Sequence, residues 1–418
     1  MGSSLVRSLA LAAVAAVPAL ALRAGWLHAG PAASLLIYGV AVVSASFLLA
    51  WAAEAAELDV SGGLAIAVLA LIAVLPEYAV DLYYAFAAGH NADYMQYAAA
   101  NMTGSNRLLM GVGWPLVVLA GLAAVKHRGI RLSGKGAGRK MALLLAPANR
   151  VELGFLLIAG LAGLLIPLTG RIGLPIGIAL LAWFGFYLFT MARAEGGEPQ
   201  LMGVAAAIGR LPVRRRRTLV AVMFVVAGAV ILLCAKPFAD SLIGAGEQLG
   251  VDRFLLVQWL APLASEAPEF IIAIIFAARG RSAAAIATLI SSKVNQWTLL
   301  VGSLPIAYRA GGGSGDLILD GRQTGELWLT ATQTLMGVAL LLALRFGRRS
   351  AWILLGLFMV QFLITSTDGR MLLAGLYAVI AVVALIANRQ YLAATLRAPF
   401  RQSEPDRPTA VRELAPTS

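Results

Sequence analysis

Two short acidic motifs, Pro76-Glu77 and Pro268-Glu269, stand inside long apolar stretches of this sequence. A charged side chain at the centre of a bilayer helix costs roughly 2.5–3.5 kcal/mol on insertion scales, so a glutamate there needs a specific role. The proline beside each glutamate removes a backbone donor and leaves carbonyl oxygens free. Because carboxylates and carbonyls are the ligands that hard cations prefer, the two motifs predict cation binding by Glu77 and Glu269.

Two further acids share a helix face with these glutamates. Asp81 follows Glu77 by four residues, and Glu266 precedes Glu269 by three. We expect Asp81 and Glu266 either to join the cation site or to be structural partners of buried bases.

Two bases, Arg107 and Lys293, lie in the apolar runs that follow the acidic motifs. The prediction is that Arg107 pairs with Asp81 and Lys293 with Glu266, so that each base neutralises one acid. Four acids against two bases then leave a formal charge of minus two, which still suits a cation. The alternative is that the bases act as tethered cations that replace a transported one.

Neutral oxygen ligands occur at similar places after both motifs. Ser105 in the first half and Ser292 in the second can supply hydroxyl oxygens, while Gly104 permits a close backbone approach. Asn101 stands four residues before Ser105, shares its helix face and adds an amide oxygen.

The elements that must position these residues are membrane helices. Of 418 residues, 60% are hydrophobic and 13% are charged, whereas soluble domains carry about 25% charged residues. Several apolar runs exceed the roughly 20 residues that a helix needs to cross a bilayer. The sequence therefore predicts an all-α polytopic membrane protein with about twelve transmembrane helices. These span residues 5–24, 33–54, 60–88, 94–124, 151–169, 172–193, 218–240, 252–279, 283–308, 325–345, 350–367 and 371–393.

The distribution of positive charge predicts the orientation. The net charge is +12, and the basic residues concentrate in the loops 125–150 and 194–217, in later turns and in the C-terminal tail. In the twelve-helix arrangement all these segments fall on one side, which indicates cytoplasmic termini. The charge therefore reflects membrane topology and not nucleic acid binding. Residues 5–22 have an alternative interpretation as a cleaved signal sequence.

Cysteine and histidine usage argues against other kinds of site. The single cysteine, Cys234, excludes an intrachain disulfide and argues against thiolate metal sites. The histidines His28, His90 and His127 are scattered, which argues against a histidine metal site. No cofactor is expected.

The two halves of the chain resemble each other, because each places a polar segment, a Pro-Glu motif, a short glycine-containing turn and a serine segment in the same order. Predicted helices 2–6 match helices 7–11, and because five is odd the second copy enters from the opposite side, as in inverted repeats of transporters. The predicted organisation is an N-terminal helix or signal anchor (1–32), a first repeat (33–193), a basic cytoplasmic linker (194–217), a second repeat (218–367), an extra helix (368–393) and a disordered tail (394–418).

This pattern resembles the calcium/cation antiporter superfamily, which includes the sodium/calcium exchangers. The resemblance covers about residues 33–367 and is carried by the two Pro-Glu motifs together with Gly104-Ser105-Asn106 and Ser291-Ser292-Lys293. It implies that Glu77, Ser105, Glu269 and Ser292 bind ions, and that Glu77 and Glu269 bind a metal ion, at mid-membrane.

The chain also departs from the family pattern at several positions. The Thr-Ser pair before the first Pro-Glu is Ala73-Val74 here, and the second is Ser265-Glu266. Four residues beyond Ser105, where the family often has Asn or Asp, the chain has Leu109. The equivalent in the second half is Gln296, which together with Ser265 completes the predicted ion-binding set.

The expected function is secondary active cation antiport, similar to Na⁺/Ca²⁺ exchange, by alternating access around a mid-membrane acidic site. The transported cations would be Ca²⁺ with Na⁺ or H⁺, and the partners are the lipid bilayer and inorganic cations. Alternatives are a proton-coupled cation antiporter, a degenerate subunit that transports nothing, and an intramembrane metal-dependent hydrolase. The Ala/Arg/Gly-rich composition favours a bacterial inner membrane. An enzyme is not expected, because the histidines of hydrolytic zinc sites are missing from the helices.

Overall fold

A computed structural model describes residues 3–59, 74–128, 142–193, 201–364 and 366–401. Within them the chain is almost entirely helical, with two short two-stranded ribbons. Residues 60–73, which are the first part of the third predicted helix and include Ala73, and residues 129–141 of the basic loop lie outside the described residues.

The first half of the chain contains eight α-helices among the described residues. They are α1 (Ser3–Arg23), α2 (Pro31–Ala56), α3 (Leu75–Ala88), α4 (Met95–Leu108), α5 (Trp114–Arg128), α6 (Asn149–Gly163), α7 (Leu165–Thr169) and α8 (Leu174–Arg193). Strands β1 (Ala142–Leu144) and β2 (Arg171–Ile172) flank α6 and α7. Proline at the first turn of α2 fixes a helical φ where no backbone donor is needed.

The second half follows the same order. Its helices are α9 (Gly203–Gly209), α10 (Val213–Leu249), α11 (Arg253–Ala278), α12 (Ser282–Asn295), α13 (Val301–Ala310), α14 (Gly321–Leu341), α15 (Arg348–Val360), α16 (Thr367–Ala387) and α17 (Arg389–Arg397). Strands β3 (Leu317–Ile318) and β4 (Arg345–Gly347) precede α14 and α15. Asp252, Asp320 and Ser366 cap the N-termini of α11, α14 and α16 by accepting hydrogen bonds from the first turn.

The apolar lengths of these helices agree with a membrane location. Among the described residues, eight helical segments are long and apolar enough to span a bilayer. The prediction of an all-α polytopic membrane protein is therefore confirmed, whereas the count of twelve spans stays a prediction. Helix α10 is longer than expected, because it continues to Leu249 and ends at Gly250, whose φ of 64° suits a helix C-terminus.

Matching π-helical segments show the internal repeat. Leu109–Gly113 joins α4 to α5, and Gln296–Leu300 joins α12 to α13. Each begins four residues after the serine of its repeat, Ser105 or Ser292. Local π segments commonly mark functional sites, because the added residue rotates the side chains that follow.

The two ribbons cross between the halves in a reciprocal way. Strand β1 of the first half pairs with β4 of the second, and β3 of the second half pairs with β2 of the first. Exchanging the two halves exchanges one ribbon for the other, which is the relation expected for a pseudo-two-fold axis. The β1–β4 pairing also places the segment that follows residues 129–141 beside the turn that contains Arg345.

The first helices of the two repeats, α2 and α10, pack along each other, and α1 covers both. At the basic side of the molecule, Asp59 accepts hydrogen bonds from Arg216 at 2.6 and 2.7 Å. These bonds hold the pKa of Asp59 at about 2, so the carboxylate stays ionised at neutral pH and the pair links α2 to α10.

Two segments differ from the sequence expectations. The basic linker contains the short helix α9, and residues from 394 onward, expected to begin a disordered tail, continue α17 to Arg397. The reason is packing: Arg150 of α6 donates to Thr395 at 2.9 Å, and Gly154 leaves room for Pro399. Residues 402–418 lie outside the described residues.

Candidate functional site

The predicted site residues lie where four helices meet, with α3 and α4 from the first half and α11 and α12 from the second. Gly104 makes the closest approach possible, because a Cβ at this position would overlap the backbone carbonyl of Gln258 on α11. The crossing of α4 and α11 therefore brings Ser105 towards the Pro-Glu turn of the other half.

Glu77 joins the two halves. Its carboxylate is buried and lies close enough to Asp81 and Glu269 for their charges to interact. Ser105 and Gln296 face the same carboxylate. The structure therefore brings Glu77 and Glu269, from opposite repeats, into one electrostatic cluster.

Neutral donors contact the two acids of the second half. Gln296 Nε2 donates to Glu266 Oε1 at 2.9 Å, and Ser292 Oγ donates to Glu269 Oε2 at 3.3 Å. Glu266 is fully buried and interacts with Glu77, whereas Glu269 keeps partial exposure. Glu269 is thus the acid of this cluster that remains accessible from outside it.

The two other polar residues of the first half also lie at this cluster. Asp81 is inaccessible, and the amide of Asn101 faces its carboxylate. Ser265, by contrast, donates its hydroxyl to carbonyl oxygens of its own helix, Ala261 at 3.2 Å and Pro262 at 3.3 Å. Such bonding to the preceding turn is common for serine in helices and occupies the proton of Ser265.

The cluster holds buried polar atoms without partners. Within the described residues, no hydrogen bond of normal geometry reaches Glu77 Oε1, Glu266 Oε2, Gln296 Oε1 or either carboxylate oxygen of Asp81. Buried acceptors of this kind are rare in folded proteins, and each calls for a missing ligand, proton or water. Oxygen atoms without donors are the arrangement that a cation or added protons would satisfy.

Lys293 contacts Asn106, the residue at the equivalent position in the other repeat. Its Nζ donates to the backbone oxygen of Asn106 at 2.5 Å and to Asn106 Oδ1 at 2.8 Å. Asn106 and Lys293 occupy equivalent positions, each one residue beyond the serine of its repeat. Lys293 also interacts electrostatically with Glu266 and Glu77, but among the described residues no acid lies within ion-pair distance of it. The expected direct pair between Lys293 and Glu266 is therefore not formed.

The expected pair between Arg107 and Asp81 is wrong. Arg107 Nε donates to Thr103 O at 3.4 Å, so the side chain folds back towards the start of α4, where its guanidinium pairs with Glu326 of α14. Long side chains in helices point towards the N-terminus in this way, which carries Arg107 away from the acid it was expected to meet.

Sequence reasoning missed Glu326, although this acid is completely buried. It also pairs with Arg370 and accepts a hydrogen bond from Gln258 Nε2 at 3.0 Å. The available signal was that Glu326 is the only acid in the predicted apolar helix 325–345.

The described residues contain no cluster of three or more His, Cys, Asp or Glu side chains arranged to hold a metal ion. The side chains gathered around Glu77 offer hydroxyl and amide oxygens, from Ser105 and Gln296, as well as carboxylates. Such mixed oxygen sets are usual for Ca²⁺.

Comparisons with known proteins agree with this fold. The family described as sodium/calcium exchanger protein matches residues 30–193 and 219–367. A crystal structure of the H⁺/Ca²⁺ exchanger CAX has 38% sequence identity and a TM-score of 0.88, covering 96% of this chain and 98% of that one.

More distant structures share the fold. The native YfkE structure superposes with a TM-score of 0.62 at 15% identity, covering 87% of this chain and 99% of its own. A structure of the sodium-calcium exchanger NCX_Mj gives 0.52 at 15% identity, covering 80% and 99%. A comparison with curated protein sequences found no match.

Proposed function

The chain belongs to the sodium/calcium exchanger family of cation antiporters, and from this premise we propose that it exchanges Ca²⁺ for H⁺ across the membrane. The observation that carries the proposal is the meeting of Glu77 and Glu269, from opposite repeats, in one buried cluster that contains unpartnered oxygen atoms. The 38% identity to a protein described as an H⁺/Ca²⁺ exchanger supports the choice of counter-ion.

In this proposal Glu77 and Glu269 are the carboxylate ligands that hold Ca²⁺ from two sides. Ser105, Ser292 and Asn101 supply neutral oxygens, and Gln296 contributes the side-chain oxygen that its bond to Glu266 leaves free. The remaining acids, Asp81 and Glu266, adjust the charge around the ion. Such a mixture of charged and neutral oxygens suits the flexible coordination of Ca²⁺.

The residues that differ from the sodium/calcium exchanger pattern favour protons over Na⁺. Val74 and Leu109 are buried and apolar at positions where that pattern has oxygen-bearing side chains, and the Ser265 hydroxyl is occupied within its own helix. The site therefore has fewer neutral oxygens for a Na⁺ ion, while its four carboxylates remain able to bind protons. Protonation would neutralise them after Ca²⁺ leaves, which lowers the cost of an empty buried site.

The repeat symmetry supports alternating access. Equivalent helices of both halves contribute to one site, and the reciprocal ribbons β1–β4 and β2–β3 connect the halves at two places. Rocking of one repeat set against the other would expose the same acids to each side in turn. We propose that the protein lies in a bacterial inner membrane with both termini on the cytoplasmic side, because the basic loops fall on the same side as the termini.

The test is Ca²⁺ flux in proteoliposomes that contain the purified full-length protein. We expect an imposed pH gradient to drive Ca²⁺ uptake against its own gradient in Na⁺-free medium, with protons leaving in exchange. Uptake driven by a Na⁺ gradient and insensitive to pH would identify Na⁺ as the counter-ion and overturn the proposal. Absence of flux under every gradient would instead indicate a subunit that does not transport.

A further inference from the structure

Next to the cation site, a second buried charge cluster joins Arg107, Glu326 and Arg370. Glu326 is completely buried, Arg107 is 1% exposed, and Arg370 is 13% exposed at its side chain. Both guanidiniums pair with the one carboxylate of Glu326. Two positive charges on one negative charge leave this trio with a formal charge of +1.

Neutral contacts hold the trio in place without changing its charge. Gln361 Oε1 accepts from Arg107 Nη1 at 3.0 Å, and the guanidinium lies 5.0 Å from the ring centre of Trp259. Gln258 donates to Glu326 at 3.0 Å and to Thr103 Oγ1 at 3.2 Å. Helices α4, α11, α14 and α16 are thus joined at one point.

An unbalanced charge in a membrane interior is costly unless a neighbouring group compensates it. The neighbour here is the carboxylate cluster. Gln258, which donates to Glu326, packs its backbone carbonyl against Gly104, the residue before Ser105. Lys293, which interacts electrostatically with Glu266, contacts Asn106 beside Arg107. The four acids with Lys293 carry a formal charge of minus three. Together with the trio, these eight side chains carry a formal charge of minus two, the charge that one Ca²⁺ or two protons would neutralise.

We propose that Arg107, Glu326 and Arg370 form a fixed countercharge unit that weakens Ca²⁺ binding at the adjacent carboxylates and so permits its release. The inference rests on the proposed function and adds to it the residues that set Ca²⁺ affinity. Glu326 holds Arg107 in position, Arg107 acts on the cation site through its charge, and Arg370 supplies the excess.

The experiment is equilibrium Ca²⁺ binding to purified full-length protein by calorimetry, with Arg107→Gln and Arg107→Lys compared. Removing a unit charge near the site at an effective dielectric of about 20 should tighten Ca²⁺ binding at least about threefold in Arg107→Gln. The same variant should lower both KM and kcat for Ca²⁺ transport, because release becomes slower. Arg107→Lys keeps the charge and should return Kd towards the wild-type value.

Two further variants keep the test decisive. Arg370→Gln leaves the Arg107–Glu326 pair intact, so it carries the test if Arg107→Gln does not fold, and it should also tighten binding. Arg171→Gln is the control, because this exposed arginine lies away from the cluster and pairs with Asp316 at an N–O distance of 3.3 Å. Equal weakening in Arg107→Gln and Arg107→Lys, or an unchanged Kd in Arg370→Gln, would overturn the proposal.

The binding measurement separates this inference from the proposed function. Wild-type protein that binds Ca²⁺ but moves no protons would overturn the exchange of Ca²⁺ for H⁺, and the comparison of variants would still report on the countercharge unit. Wild-type exchange with variants of unchanged affinity would overturn the countercharge unit alone.

Discussion

At the scale of single residues, the two buried bases have different roles, although the sequence places them in similar positions. Lys293 contacts Asn106, its equivalent in the other repeat, whereas Arg107 folds back along α4 to Glu326. The acids of the proposed cation site could be singled out from the sequence, because proline and glutamate recur together in both halves. The partner of Arg107 was not, because Glu326 lies 219 residues away and no local spacing relates the two.

Gln296 provides a test at this scale. Replacing it by leucine copies the residue that the first repeat has at the equivalent position, Leu109, and removes the donor to Glu266. A buried hydrogen bond to a charged group contributes about 1.5–3 kcal/mol, so Gln296→Leu should raise the KM for Ca²⁺ by about tenfold or more. The measurement is initial Ca²⁺ uptake into proteoliposomes over a range of Ca²⁺ concentrations.

Thr298→Val is the matched control, because Thr298 is equally buried and donates only to its own helix, at Val294 O. Its KM should stay close to that of the wild type. Equal effects of the two substitutions would show that Gln296 acts on helix packing and not on the carboxylates.

At the scale of elements, the site depends on how closely two helices cross. The long apolar runs made the membrane helices predictable, since length and composition decide insertion. The helix ends, the short helix α9 and the ordered helix α17 were not predictable, because they depend on contacts such as that between Arg150 and Thr395. The close contact at Gly104 was suggested by sequence, but its partner Gln258 was not.

The close crossing of α4 and α11 predicts what adding one methyl group at Gly104 would do. Alanine normally stabilises a helix interior relative to glycine by about 1 kcal/mol. In Gly104→Ala the new Cβ would overlap the carbonyl of Gln258 and force α4 away from α11, so Ca²⁺ transport should fall at least about tenfold and the melting temperature should drop by several degrees. Both quantities are measured on the same purified protein, by vesicle flux and by thermal unfolding in detergent.

Gly185→Ala serves as the comparison, because Gly185 is exposed on α8 and a Cβ there would contact nothing within 4 Å. Transport by this variant should equal that of the wild type. A Gly104→Ala protein with normal flux would contradict the close crossing.

At the scale of the whole molecule, two halves with the same order of elements and inverted topology contribute to one site. The order of motifs predicted this relation, and the matching π segments and reciprocal ribbons agree with it. The fold class and membership of an antiporter family are confirmed by the comparisons. The sequence did not reveal the ribbons, because strands of two or three residues leave no periodic signal and form only through pairing with the other half.

The central claim is that Glu77 and Glu269 hold a single cation between them, and Ca²⁺ titration calorimetry tests it most directly. The wild type should bind one Ca²⁺ per chain in the site, and Glu77→Gln and Glu269→Gln should each abolish that binding, while Asp93→Asn, at an exposed acid, should leave it unchanged. Retention of wild-type affinity in either glutamate variant would contradict a site shared between the two repeats.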